Sequence, residues 1–101
     1  MDTVETIKKS LQPIFAKEPI VKAVLFGSCA KGLSNELSDV DIVIDSNGQL
    51  IGLDFFRVLD EIVEILQKDV DLFEIAEIVK GSPMEKAVLN EGVTIYERKV
   101  A

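Results

Sequence analysis

Two neighbouring aspartates have the side chains in this sequence that are best suited to catalysis or metal binding. One residue separates Asp39 from Asp41, and the apolar run Ile42-Val43-Ile44 follows them, which is typical of a strand. Alternate residues of a strand point to the same face, so the two carboxylates should project together, roughly 6–7 Å apart. Neighbouring carboxylates repel each other unless a positive charge lies between them. The pair therefore predicts a site for a hard cation with oxygen ligands.

A glycine-serine turn precedes this pair. The apolar run at residues 20–26, broken by one lysine, stops at Gly27-Ser28, which predicts a buried strand, a tight turn and a short helix at residues 28–33. Free amides at the start of such a helix suit a phosphate, and glycine allows close approach of the backbone. The Ser28 hydroxyl can donate to a phosphate oxygen. Most Gly-Ser turns are only turns, so this interpretation depends on the carboxylates that follow.

The combination resembles the nucleotidyltransferase superfamily with the DNA-polymerase-beta-like palm. Its signature is Gly-Ser, about ten residues, and then Asp-x-Asp, which appears here as Gly27-Ser28 followed by Asp39 and Asp41. The longer motif Gly-Ser-x-Ala-x-Gly, at residues 27–32, most resembles that of the minimal nucleotidyltransferases. These are small proteins that are often encoded beside a HEPN-domain ribonuclease toxin. Cys29 stands where family members often carry arginine, so no contact of that arginine is carried over.

A later strand-like segment, residues 69–75, contains another pair of aspartates. In the resembled family, a strand with a Val-Asp-Leu-like sequence carries the third catalytic carboxylate, and Asp71 matches that position. Asp69 has the same parity, but it directly follows the preceding helix and is expected in the helix–strand turn. The resemblance thus implies that Asp71 joins Asp39 and Asp41.

The resemblance also implies a reaction. Asp39, Asp41 and Asp71 would form the catalytic centre and bind metal, two Mg²⁺ ions, while Gly27 and Ser28 would hold the triphosphate of ATP. AMP would pass from ATP to an acceptor hydroxyl with release of pyrophosphate, and Asp71 would help to activate the acceptor. The implied acceptor is a tyrosine of a partner HEPN ribonuclease toxin, which makes the protein an antitoxin within a hetero-oligomer.

Two other functions remain open. A non-catalytic antitoxin would neutralise its partner by binding alone, and the net charge of −7 would suit contact with a basic ribonuclease. Nucleotidyl transfer to a small-molecule hydroxyl is the other alternative, although the antibiotic-modifying relatives that do this usually carry an additional helical domain. The intact carboxylate set favours catalysis over binding alone.

Periodic apolar residues define the elements that must position this site. Spacings of three and four predict helices at residues 3–17 and 54–68, and Pro13 is expected to kink the first helix or end it early. Asp45 begins an Asp-Ser-Asn-Gly turn and is expected to cap it rather than join the site. The expected fold is α/β (α+β), a nucleotidyltransferase palm with a mixed sheet of about four strands flanked by helices.

The end of the chain contains a further helix and strand. The Ser-Pro-Met-Glu sequence at residues 82–85 predicts a capping box with proline at the first helical position. The helix is expected to run to Asn90, with Gly92 as its stop and a last strand at residues 93–96. Together these elements predict a single domain over residues 1–101.

Composition excludes several classes of function. With 101 residues, no histidine and 11 basic against 18 acidic residues, the chain lacks the basic cluster that direct nucleic-acid binding requires. The absence of histidine also excludes histidine-based catalysis and histidine-ligated zinc. No apolar run approaches the ~20 residues of a membrane span. One cysteine cannot form an internal disulfide, so we expect a cytoplasmic protein.

Overall fold

A computed structural model describes residues 3–27, 30 and 39–99. In chain order its elements are α1 (Val4–Lys17), β1 (Lys22–Phe26), β2 (Val40–Asp45), α2 (Leu53–Leu66), β3 (Val70–Glu74), a short 3-10 helix (Ile75–Glu77), α3 (Pro83–Glu91) and β4 (Val93–Glu97). Apart from Ala30, the predicted short helix at residues 28–33 lies outside the described residues, and so does the loop that leads to Asp39.

The four strands form one mixed sheet in the order β3-β2-β1-β4. β1 pairs antiparallel with both β2 and β4, whereas β2 and β3 run parallel. A parallel pair needs a crossover, and α2 supplies it between β2 and β3. The prediction of a mixed sheet of about four strands flanked by helices is confirmed.

One face of the sheet packs against α1 and α2 to form the main core. Val40, Ile42 and Ile44 of β2 lie in this core, as the two-residue period of a strand requires. The helices bury stripes at three- and four-residue spacing, which are Ile7, Leu11, Ile14 and Phe15 of α1 and Val58, Ile62 and Leu66 of α2.

Pro13 does not end α1 early. The helix continues to Lys17, although a proline inside a helix removes one backbone hydrogen bond. Pro13 and Lys9 are both exposed, so water can satisfy the carbonyl of Lys9 that has lost its donor. The helix begins as expected, with the Thr3 side chain accepting a hydrogen bond from the Thr6 amide at 3.2 Å.

The opposite face of the sheet carries a second, smaller apolar cluster. Val24, Phe26 and Val43 are buried without belonging to the main core, and the Phe26 ring lies 6.0 Å from that of Phe73. α3 packs over this face, close enough that a Cβ on Gly92 would collide with the Val24 side chain. This apolar cluster holds β1, β2 and β3 together on the face of the sheet from which Asp41 and Asp71 also project.

α3 is capped almost as its sequence predicts. The Ser82 side chain accepts from the Glu85 amide at 3.2 Å, but the Glu85 carboxylate accepts from the Gly81 amide at 2.9 Å rather than from Ser82. Gly92 stops the helix with extended backbone, φ −70°, so close packing and not a left-handed turn requires this glycine. No helix in the described part of the chain combines the length and apolar character that a membrane crossing needs.

Candidate active site

Asp41 and Asp71 lie side by side on adjacent parallel strands. They are register partners in the pairing of β2 with β3, and they project from the face opposite the main core. Parity places Asp41 there, because its neighbours Val40 and Ile42 are both buried in that core. Asp41 is half-buried and Asp71 is exposed, so the pair faces outward at one end of the parallel strands.

The pKa of Asp41 is raised above its ordinary value. Burial is the largest cause, followed by the negative charge of Asp71, a hydrogen bond between these two side chains, and the negative charge of Asp39. Each of these effects disfavours an ionised Asp41. The site is therefore a concentration of negative charge that a cation or a proton would relieve.

Asp39 and Asp69 occupy the positions just before their strands. Asp39 is exposed and directly precedes β2, and its charge reaches Asp41. Asp69 precedes β3, where its backbone carbonyl accepts from the Val40 amide at 3.0 Å. Asp69 is not among the groups that shift the pKa of Asp41, so the structure brings Asp71, rather than Asp69, against the Asp41 carboxylate.

Gly27 meets the same carboxylate from the end of β1. Its φ is +76°, in the left-handed region that favours glycine. A Cβ at this position would collide with the Oδ2 atom of Asp41. Gly27 therefore combines two requirements, a turn that other residues rarely adopt and room for the Asp41 side chain. Ser28, the other residue predicted to bind nucleotide, lies outside the described residues.

Carboxylate oxygens are the only metal-binding groups that this arrangement offers within the described residues. Across residues 3–27, 30 and 39–99, no three acidic, cysteine or histidine side chains stand close enough together to hold an ion. The Asp41–Asp71 pair nevertheless has the oxygen donors that Mg²⁺ prefers and a repulsion that Mg²⁺ would remove. The donor set therefore fits a hard cation.

Asp45 has the local role that its sequence predicts. Its Oδ1 accepts from the Asn47 amide at 3.0 Å, so the side chain stabilises the turn in which Asn47 and Gly48 both take positive φ values. Asp45 shares the parity of Asp41 but lies four residues further along β2. The hydrogen bond within the turn therefore explains the aspartate at this position without a role in the site.

Two polar arrangements were not predicted. Arg57 of α2 donates to both carboxylate oxygens of Glu18 at 2.9 Å each. Glu74 is buried, and its Oε1 accepts from the Ser46 amide and hydroxyl at 3.1 and 2.6 Å. The sequence offers a signal only for the second arrangement. Glu74 stands at a position of β3 where the alternation predicts a buried apolar residue.

Comparison with known proteins places this geometry in a family. The family model described as polymerase beta, nucleotidyltransferase matches residues 9–101. A candidate protein adenylyltransferase from Methanocaldococcus jannaschii is 33% identical over 93 residues, which are 91% of this chain and 97% of that protein.

Two solved structures share the fold. A chain from a toxin–antitoxin crystal structure with AMP-PNP superimposes with a TM-score of 0.78 at 18% identity, over 91% of this chain and 74% of that one. A chain from the complex of tri-AMPylated Shewanella oneidensis HEPN toxin with MNT antitoxin gives 0.72 at 15% identity, over 94% and 73%. With the match that extends from residue 9 to residue 101, the chain belongs to the polymerase beta nucleotidyltransferase family.

Proposed function

We propose that this protein is a protein adenylyltransferase that transfers AMP from ATP to a tyrosine hydroxyl of a partner HEPN toxin and thereby acts as its antitoxin. The observation that carries the proposal is the contact between Asp41 and Asp71 on parallel strands, with Gly27 closing in on Asp41. Paired carboxylates can hold the cations that neutralise charge in phosphoryl transfer, and a glycine turn beside them can position the phosphates.

The reaction exchanges one bond at the α-phosphorus for another and moves one proton. The acceptor oxygen attacks the α-phosphorus of ATP, and the bond from that phosphorus to the oxygen bridging the α- and β-phosphates breaks, so pyrophosphate leaves. The hydroxyl proton passes to a carboxylate, for which the exposed Asp71 is the candidate in this chain. Gly27 and Ser28 bind the triphosphate through the backbone at the turn and the serine hydroxyl.

Asp41 and Asp71, which lie side by side, are the residues that would hold Mg²⁺, and Asp39, whose charge reaches Asp41, would be the third ligand. When bound, Mg²⁺ supplies charge neutralisation for the triphosphate and lowers the pKa of the attacking hydroxyl. The protein itself contributes orientation. The ring contact between Phe26 of β1 and Phe73 of β3 spans β2 on the same face, and so helps to hold in place the strands from which Asp41 and Asp71 project.

Known relatives support the choice of donor and acceptor. The Methanocaldococcus jannaschii relative is a candidate protein adenylyltransferase, and the similar solved chains come from a toxin–antitoxin pair with AMP-PNP and from an AMPylated HEPN toxin with its antitoxin. These names favour ATP as donor and a HEPN toxin as acceptor for this chain also.

Intact-mass measurement tests the proposal directly. After incubation of the purified protein with ATP, Mg²⁺ and its HEPN partner, the partner should gain the mass of one or more AMP units. The double change Asp39→Asn with Asp41→Asn should abolish the adduct while the complex still forms. If the wild-type protein suppresses toxicity but never labels the partner, it is an antitoxin that acts by contact alone.

A second pair of variants tests the third carboxylate. Asp71→Ala should reduce the transfer rate by about a hundredfold or more, since it removes the candidate proton acceptor. Asp69→Ala is the matched control, because Asp69 contributes its backbone carbonyl to the strand pair and not its side chain. It should keep most of the activity, and equal losses would show that the site was assigned two residues out of register.

A further inference from the structure

A pocket separate from the aspartates opens at the far end of β3. It has a volume of about 720 Å³ and is lined by β3 from Leu72 onward, the 3-10 helix, the segment that follows it as far as Met84, the start of α2, and the segment at residues 48–52. None of Asp39, Asp41 and Asp71 lines it. Its volume is in the range of ligand pockets, and most of its lining is apolar.

Glu74 is the buried polar residue of this pocket. Its side chain is held by Ser46 through Oε1, and the whole residue is only 8% exposed. The second oxygen, Oε2, is buried and receives no hydrogen bond from the described residues. A buried carboxylate oxygen without a donor is energetically costly, so a hydrogen-bond donor that reaches Oε2 would be stabilising.

The charges and the rim of the pocket define what that donor should be. Among the described residues, Glu74 and Glu77 are the only charged ones in its lining, and no described lysine or arginine lines it. Ile51, Phe56 and Val79 line its exposed side and are 70%, 58% and 72% exposed. An occupant with an aliphatic stem and a cationic tip would match both the apolar walls and the negative charge.

We propose that this pocket is a docking site for a partner protein and that it binds a lysine or arginine side chain of that partner, with the cation on Glu74. A small free amine would satisfy Glu74 but leave the exposed apolar rim in contact with water. A protein segment would cover Ile51, Phe56 and Val79 as well, and contiguous exposed apolar surface of this kind marks interaction sites. The proposal does not depend on the identity of the partner or on AMP transfer.

Short peptides test the chemistry with the protein as it exists. The probe is the acetylated and amidated peptide Ala-Leu-Lys-Leu-Ala, followed by chemical-shift changes at Val79 and Met84 in an NMR titration. Its comparators carry norleucine or glutamate in place of lysine. The lysine peptide should bind at least about tenfold more tightly than the norleucine peptide, since a charge-assisted hydrogen bond separates them, and the glutamate peptide should bind more weakly than both.

Variants of the protein locate the effect. Glu74→Gln keeps an oxygen for Ser46 but replaces the free acceptor with an amide, and it should reduce the lysine preference to within about twofold. Glu77→Gln removes the same charge from an exposed part of the lining and should keep the preference. Val79→Ser should weaken both the lysine and the norleucine peptide, whereas Leu89→Ser, at a comparable 75% exposure outside the pocket, should change neither.

Three results would overturn the proposal. Equal binding of the lysine and norleucine peptides would remove the role of Glu74, and the absence of any shift at Val79 and Met84 would remove the pocket. If n-butylammonium, which mimics the lysine side chain alone, binds as tightly as the lysine peptide, the site is one for small amines and not a protein docking site. Val79→Ser is a surface change, so it tests the pocket even if Glu74→Gln impairs folding.

Discussion

At the scale of single residues, the Asp41 carboxylate is disfavoured by burial and by two negative neighbours. Its pKa is raised above the ordinary value of 3.8, so folding favours the protonated form. Stability from this group is fully present below its unfolded pKa and is lost as the pH rises through the higher folded pKa. At neutral pH the ionised Asp41 therefore opposes folding.

Asp41→Asn should consequently raise the melting temperature in EDTA at pH 7. Because the pair is partly exposed and screened by solvent, we expect less than about 1 kcal/mol, or a few degrees. The advantage of the variant should shrink toward pH 3, where wild-type Asp41 is protonated. Thermal melts at both pH values measure this effect.

Mg²⁺ with ATP should reverse that order of stability. At a hundredfold excess over Kd, binding of Mg²⁺ and ATP should stabilise the wild type by about 2.7 kcal/mol. The Asp41→Asn variant lacks one carboxylate of the proposed metal site and should gain less. If the wild type is the more stable protein in EDTA and neither protein responds to Mg²⁺ and ATP, the carboxylates are structural.

Gly27→Ala separates backbone strain from the contact with Asp41. Alanine at φ +76° costs about 1–2 kcal/mol, and its Cβ would also displace the Asp41 side chain. We expect transfer activity to fall about a hundredfold, as a displacement of about 1 Å can cause. Gly48→Ala is the matched control, since Gly48 has φ +74° but open space around its missing Cβ. It should lose similar stability in urea and keep its activity, whereas equal activity losses would mean that strain alone is responsible.

At the scale of elements, an ion pair joins the end of α1 to α2. Glu18 is buried, and each of its two carboxylate oxygens accepts a hydrogen bond from Arg57, which is about half exposed. These bonds, with the positive charge of Arg57, lower the pKa of Glu18 despite its burial. A lowered pKa contributes stability that is present above the unfolded pKa and is lost as the pH falls through the folded value.

Glu18→Gln should therefore destabilise the protein at pH 7, by about 1–2 kcal/mol once the exposure of Arg57 is taken into account. The difference from wild type should diminish as the pH falls below the ordinary value of 4.5. Glu64→Gln, on the exposed face of α2, is the control and should leave the free energy of unfolding within about 0.5 kcal/mol of wild type. A constant difference between pH 7 and pH 3 would show that packing, and not the ion pair, is lost.

At the scale of the whole molecule, Arg98 ties the last strand to the first helix. It follows β4 and donates to the carbonyls of Phe15, Ala16 and Glu18 at 3.2, 2.8 and 3.2 Å. These carbonyls lie at the end of α1, where no further turn of helix can satisfy them and a positive charge is favourable. The Arg98 side chain also donates to the Tyr96 hydroxyl at 3.1 Å.

Arg98→Ala should lower the free energy of unfolding by about 1.5–3 kcal/mol, as expected for hydrogen bonds that involve a charged donor. In a domain of this size the melting temperature should fall by roughly 6 °C or more. Arg98→Lys keeps the charge but not the planar fork, so it should recover only part of the loss. Lys99→Ala, at an exposed neighbouring position, should have little effect, and an equal effect of both alanine variants would remove the capping role.

The sequence by itself determined the local and the periodic features of this protein. The helix periods predicted α1 and α2, and the two-residue period of β2 separated Ile42 and Ile44 on the core face from Asp41 on the other. Gly27 marked the turn, because few residues other than glycine accept its backbone conformation. These features depend on neighbours along the chain, so a pattern of residue types is enough to reveal them.

Only the tertiary structure decided which distant residues meet. Asp71 is thirty positions from Asp41, and strand pairing sets their contact; parity alone left Asp69 equally possible. Arg57 on a helix surface has the same sequence pattern whether it is solvated or holds Glu18. Glu74 lines a pocket to which α2, β3 and the segment after β3 all contribute residues. Such contacts depend on the relative placement of whole elements, which periodicity does not encode.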